Sequence, residues 1–376
     1  MRRTQRVAKA VKGRFGIGLG RLCGLGATLA GALAVGAPDV DAQESDALRV
    51  AYPAALPGIT IGFDALRMQS DDALRAEFAD IAAIGARMLR MDLNWHLVQD
   101  AGPDAFDWSA PDRVVRQARA AGLEILFVVG SVPQWARKQP GERSPIADPA
   151  TYARFLSIAV SRYAPLGIRH WEVWNEPNLD GPWPRPDAAA YAALLKAAYP
   201  AIKAADPAAT VISGGLASVV ATGPLVGPVK YVSAVDFVRT LYAEGAGGYF
   251  DALGFHPYSY PRPPGDTVPW NGWSLMTGPV RELMVANGDA DKRIWITEYG
   301  APSNEPESGV SEDMQAAMLT ESYPLAAALP YAGPLFWYSY RDLGTDVSDN
   351  EDWFGLRRMD GSPKPAFSAF RELAVR

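Results

Sequence analysis

The stretch His170-Trp171-Glu172-Val173-Trp174-Asn175-Glu176-Pro177-Asn178 decides how the rest of the chain is read. Trp171 to Trp174 has the length and aromatic character of a strand buried by neighbours on both sides. Glu176 falls at its C-terminal end, and Pro177, which has no N–H to offer, ends the pairing and begins a loop. A second stretch repeats the arrangement: Arg293-Ile294-Trp295-Ile296-Thr297-Glu298-Tyr299-Gly300 carries Glu298 at the end of its own strand. In a closed parallel barrel all C-terminal strand ends share one rim. The two carboxylates then meet across the mouth, although 122 residues of chain separate them.

Working outward, short apolar runs alternate with helical patterns from residue 58 onward. Expected strands are Ile59–Gly62, Arg87–Asp92, Glu124–Val129, Trp171–Trp174, Thr210–Ser213, Ala252–Phe255, Arg293–Thr297 and Pro334–Trp337. The helices between them carry their own start and stop signals. Asp71-Asp72 opens one that ends near Gly85, and Pro111-Asp112 opens another that ends at Gly122. Asp187 precedes Ala188 to Ala205, Ser311-Glu312-Asp313 starts the seventh helix, and Pro365 starts the last. Eight strands in such alternation predict a parallel sheet with right-handed crossovers, closed as a (β/α)8 barrel. The Pro/Gly-rich stretches Gly181 to Pro186 and Tyr258 to Trp273 each follow a strand's C-terminal end, where barrels place functional loops.

Residues 1–42 read as an export signal: a basic start (Arg2, Arg3, Arg6, Lys9, Lys12), an apolar run from Leu22 to Ala37, and Val40-Asp41-Ala42 as the cleavage site. Residues 43–57 are then a lead-in and 58–376 the barrel domain, without an appended β-sandwich. A secreted or periplasmic protein is expected, with no membrane insertion after cleavage. The one cysteine, Cys23, lies inside the signal, leaving no thiol nucleophile beyond it. The signal carries seven Lys/Arg and two Asp/Glu, so removing it takes the formal charge from −6 to −11. An acidic body without a basic run argues against nucleic-acid partners. Eleven Trp and fifteen Tyr fill a core or supply flat faces for sugar rings.

Two facing carboxyl groups are what glycosidic cleavage needs: one protonated for the leaving oxygen, the other ionised to trap the oxocarbenium-like centre. Placement after strands four and seven predicts a spacing of about 5–5.5 Å and a retaining double displacement. A lone buried carboxylate is costly, so two in aromatic-rich strands are seldom incidental. Serine in Gly-x-Ser-x-Gly does not occur, and His96, His170 and His256 are not at metal-ligand spacing. Gly16 to Gly20 does not match a dinucleotide fingerprint. No cofactor and no metal is expected.

Trp174-Asn175-Glu176-Pro177 together with Thr297-Glu298-Tyr299-Gly300 resembles clan A glycoside hydrolases. The longer Trp174 to Leu179 form is most similar to glycoside hydrolase family 39, which includes β-xylosidases, iduronidases and exopolysaccharide endo-hydrolases. The resemblance implies that Glu176 is the acid/base and Glu298 the nucleophile. It also implies that Asn175 bonds the sugar 2-hydroxyl and Arg90 lies beneath the nucleophile. Tyr258, in His256-Pro257-Tyr258, would donate to the nucleophile while His256 lines the sugar subsite. Trp337 would form the subsite floor, next to a non-proline cis peptide. Trp95, Trp135 and Trp273, in or near mouth loops, are added as sugar platforms, each as apt to pack beneath its loop. A monomer acting on a β-linked polysaccharide from within is expected. An exo-acting β-xylosidase and a non-catalytic glycan-binding barrel are the alternatives.

Overall fold

The computed structural model of the chain describes residues 56–139, 146–220, 223–224, 230–305 and 309–373. The export signal expected over 1–42, and all but the last two residues of the lead-in, lie outside the described residues. All eight expected runs are strands: β1 (Pro57–Thr60), β2 (Met88–Asn94), β3 (Glu124–Gly130) and β4 (His170–Asn175). They continue as β5 (Thr210–Ala217), β6 (Ala252–His256), β7 (Arg293–Tyr299) and β8 (Ala332–Tyr338). Each pairs in parallel with its sequence neighbours, and β1 pairs with β8, which closes the barrel. A short antiparallel ribbon, Gly223–Pro224 with Lys230–Tyr231, follows β5.

The outer ring is α1 (Asp71–Ala83), α2 (Ser109–Ala120), α3 (Pro149–Tyr163), α4 (Ala188–Ala205), α5 (Ala234–Ala243), α6 (Arg281–Ala286), α7 (Glu312–Ala327) and α8 (Pro365–Leu373). The caps behave as the sequence predicts. Asp187 accepts from the amides of Ala189 and Ala190, and Ser311 from that of Met314. Such caps contribute about 1 kcal/mol each by satisfying N–H groups that the first turn leaves open. No described helix is long and apolar enough to cross a membrane.

The pleat sorts the core into two layers. Leu89, Ile125, Phe127, Trp171, Val211, Leu253, Ile294, Ile296, Leu335 and Trp337 face outward and join one large apolar cluster with the helices. The inward rows form a separate plug at the base of the barrel: Met88, Leu126, Ile212, Ala252, Trp295 and Phe336. Gly333 makes room for it, since a Cβ there would come within 2.5 Å of the Trp295 indole. The plug fills the lower barrel with side chains, so only the C-terminal end is left for chemistry.

Candidate active site

Two left-handed residues shape the end of β4. Trp174 has φ 74° and Glu176 has φ 43°, conformations that cost about 1–3 kcal/mol each and persist only where neighbours enforce them. The enforcement is visible. The Trp174 indole donates to the Pro182 carbonyl at 2.9 Å, and the Glu176 amide donates to the Gly215 carbonyl at 3.0 Å. The buried Asn178 carboxamide accepts from the Ala217 amide and donates to the Ala217 and Val232 carbonyls, latching the β4 loop onto β5. Together these bonds turn Glu176 over the barrel mouth.

On β7 the register does the equivalent work. Ile296 pairs with Leu335 but Tyr299 pairs with Trp337, so Thr297 and Glu298 together oppose the single residue Phe336. A bulge of this kind lets two consecutive side chains face the same side. Thr297 and Glu298 are both turned to the site: Thr297 reaches His256, and Glu298 reaches Arg90 and Tyr258.

Arg90 is the charge centre. Its Nη1 donates to Glu298 Oε1 at 2.6 Å, its Nε to Glu172 Oε2 at 2.7 Å, and its Nη2 to Asn175 Oδ1 at 2.7 Å. Burial opposes the guanidinium charge, but Glu172 and Glu298 outweigh it and hold Arg90 protonated far above ordinary pH. Glu172 is fully buried and also accepts from the Gly215 amide at 2.8 Å, so no carboxylate here is buried without donors. Tyr258 donates to Glu298 Oε2 at 2.9 Å. Burial, with Glu298 beside it, pushes the Tyr258 phenol well above its usual range and keeps it a neutral donor.

A carboxylate oxygen of Glu176, one of Glu298 and a ring nitrogen of His256 all lie within 4.8 Å of one another. His256 Nδ1 sits 3.2 Å from Glu176 Oε1 and 3.5 Å from Glu298 Oε2. Among the described residues this is the one group with spacing for a bound cation, and Arg90 already places a fixed positive charge on it.

Glu176, Glu298, Arg90, Asn175, His256 and Tyr258 therefore converge, with Arg90 paired to both Glu172 and Glu298. The tryptophans do not all follow. Trp337 is fully buried and faces the helices, edge-on to Tyr299, because it shares the parity of Leu335. The inward position is Tyr338, and the non-proline cis peptide lies between Tyr338 and Ser339. Trp95 is fully buried too, bonded to Gln99 and stacked on Phe155, so it supports its loop from below. Trp273 is buried edge-on to Tyr299, outside the barrel wall. Only Trp135 keeps part of its ring open, with its indole N–H on the Gln99 carbonyl.

Sequence reasoning missed Thr297, Tyr338 and Glu351. Tyr338 donates to Glu351 Oε2 at 2.8 Å and packs on Phe354, whose ring also meets Tyr258 and Tyr260. Strand parity counted from Phe336 finds Tyr338, but Glu351 sits in a single 3-10 turn, Asn350–Trp353, too short to show a periodicity.

No family model matches the chain. A local stretch of 85 residues is 31% identical to the beta-amylase Tri a 17 of Triticum aestivum, spanning 19% of this chain and 17% of that protein. Among solved structures, the chain is similar to a family 39 glycoside hydrolase from the gut symbiont Bacteroides cellulosilyticus WH2. That match has 25% identity and a TM-score of 0.66, and covers 86% of this chain and 64% of that one. The chain thus spans slightly less than two thirds of that relative. A monomeric beta-xylosidase from Caulobacter crescentus CB15 follows at 19% identity and TM-score 0.64, covering 85% and 67%. A family 5 subfamily 18 protein from Bifidobacterium longum, solved with Manβ1-4GlcNAc, has 17% identity and TM-score 0.64, covering 85% and 78%. The (β/α)8 barrel is the fold these proteins share. The resemblance to clan A glycoside hydrolases of the family 39 type, read from two motifs, holds in three dimensions.

Proposed function

We propose that this chain is a retaining glycoside hydrolase. The observation that carries the reading is the spacing of its two mouth carboxylates, with facing oxygens within 4.8 Å. A retaining pair stands about 5–5.5 Å apart, whereas an inverting pair needs roughly 6.5–9.5 Å to admit a water beside the sugar.

In the first step Glu298 attacks the anomeric carbon, held in place by Arg90 and Tyr258. Glu176 gives its proton to the departing oxygen. In the second step Glu176 takes a proton from water, which releases the sugar from Glu298. The Asn175 carbonyl is engaged by Arg90, which turns its amide N–H₂ toward a sugar 2-hydroxyl. Removing either carboxylate should abolish one of these steps.

The finer reading is a secreted monomer that cuts a β-linked polysaccharide internally. The export signal read over residues 1–42 and the aromatic residues of the mouth support it. The structural likeness to a beta-xylosidase supports an exo-acting alternative. Two measurements test these readings. The first anomer released from an aryl β-glycoside should be β by NMR, and an α product would remove the double displacement. Digestion of xylans, β-glucans and mannans should give oligosaccharides of mixed length; single sugars alone would favour the exo reading.

A further inference from the structure

His256 stands in an unusual place: fully buried, with one ring nitrogen between two carboxylates that exchange charge during the proposed reaction. Its Nδ1 is 3.2 Å from Glu176 and 3.5 Å from Glu298. In the proposed reaction one of these two groups is ionised at each stage, Glu298 at the start and Glu176 once its proton has left. A lone pair on Nδ1 would be repelled by the charged one, so Nδ1 carries a proton. The other nitrogen, Nε2, lies 3.0 Å from Thr297 Oγ1. In a neutral ring with the proton on Nδ1, Nε2 is an acceptor and the Thr297 hydroxyl its donor.

Several features hold Thr297 to that task. The alternation that turns Trp295 inward also turns Thr297 inward, and Thr60 Oγ1 donates to its carbonyl at 3.2 Å. Gly215 leaves the necessary space: a Cβ there would fall 2.1 Å from His256 Nε2 and 2.5 Å from Thr297 Oγ1.

We infer that the His256 Nδ1–H is a shared donor that follows the negative charge between Glu298 and Glu176, with Thr297 as the positioning residue that keeps the proton on Nδ1. The inference rests on the two-carboxylate reading above. As Glu298 forms its bond to the anomeric carbon it becomes a neutral ester, while Glu176 passes its proton to the leaving oxygen and becomes anionic. The charge has moved from one carboxylate to the other, and the hydrolytic step moves it back. His256 transfers no proton; its N–H shortens toward whichever carboxylate is charged. A donor already between the two sites needs little rearrangement in either step.

Thr297→Val keeps the shape and removes the hydroxyl, and Thr297→Ser restores it. With only three histidines in the sequence, long-range ¹H–¹⁵N spectra of the rings are readily assigned. The wild type should show a protonated Nδ1 and a bare Nε2. Thr297→Val should disturb that tautomer and lower kcat by about 10- to 100-fold, the size of one hydrogen bond serving a charged group, on both 4-nitrophenyl and phenyl β-glycosides. KM should stay nearly unchanged, and Thr297→Ser should recover both signals. A wild-type ring protonated on Nε2, alone or together with Nδ1, would overturn the inference, as would full activity in Thr297→Val. If no aryl β-glycoside in a panel of xylosides and glucosides is cleaved, the hydrolase reading fails, while the spectra still decide the tautomer.

Discussion

One step along the pleat separates Met88 from Arg90, Trp295 from Thr297, and Phe336 from Tyr338, and across that step the barrel interior changes character. The lower layer is a plug of six apolar side chains, with the buried His170 ring against Trp295. The upper layer holds Arg90, Glu172, Glu176, His256 and Glu298, joined by short charge-assisted bonds. Apolar burial in the lower layer supplies folding free energy without regard to direction. The upper layer is directional, and each buried charge in it is tolerable only because another group answers it. The two layers should therefore fail differently when mutated.

The largest effect is expected at Glu298→Gln, where turnover of an aryl β-glycoside should fall by about 10⁴-fold or more while the melting temperature stays within a few degrees. Substantial residual turnover would place the nucleophile elsewhere. Arg90→Met tests whether the upper layer is bound by its charges. It leaves the fully buried Glu172 without its cation, so stability should drop by about 3–5 kcal/mol in denaturant unfolding, alongside lost activity. The counterpart below is Phe336→Ala, which should cost about 3–5 kcal/mol through the cavity it opens but leave kcat/KM within a few-fold at a temperature where the variant is folded. Should Phe336→Ala impair catalysis as much as folding, the separation of the two layers is wrong. Tyr258→Phe removes one hydroxyl from Glu298 and should lower kcat by about 10-fold with little change in stability.

The smallest effect concerns His96, which belongs to neither layer. Its burial lowers its pKa below the ordinary value of 6.5. The unfolded chain therefore takes up the proton first, so this contribution is intact above pH 6.5 and lost as the pH falls below it. The difference in melting temperature between wild type and His96→Gln should narrow or reverse from pH 7 to 5; a difference constant across that range would count against the burial argument.

Much of this was legible in the chain because it is local. Strand runs, the Asp187 and Ser311 caps, and the Pro177 stop are written within a few residues of where they act. The tryptophans show where local reading ends. Trp337 and Tyr338 are adjacent and both aromatic, and only the parity of β8 in the closed barrel tells which one enters the mouth. Trp95 and Trp273 lie in short helices beyond strand ends (Trp95–Gln99 and Gly272–Leu275), yet their burial depends on helices and strands that pack over them.

The amino-acid sequence by itself determined eight strands with their helices and set Glu176 and Glu298 at strand ends, since periodicity, capping and proline act over a turn or two. Tertiary structure decided which neighbours those carboxylates have. Closure brought Arg90 to Glu298, 208 residues away in the chain, and the β7 bulge turned Glu298 to the same side as Thr297. A one-residue change of register reverses the face a side chain presents, and register is a property of paired strands that no single strand carries.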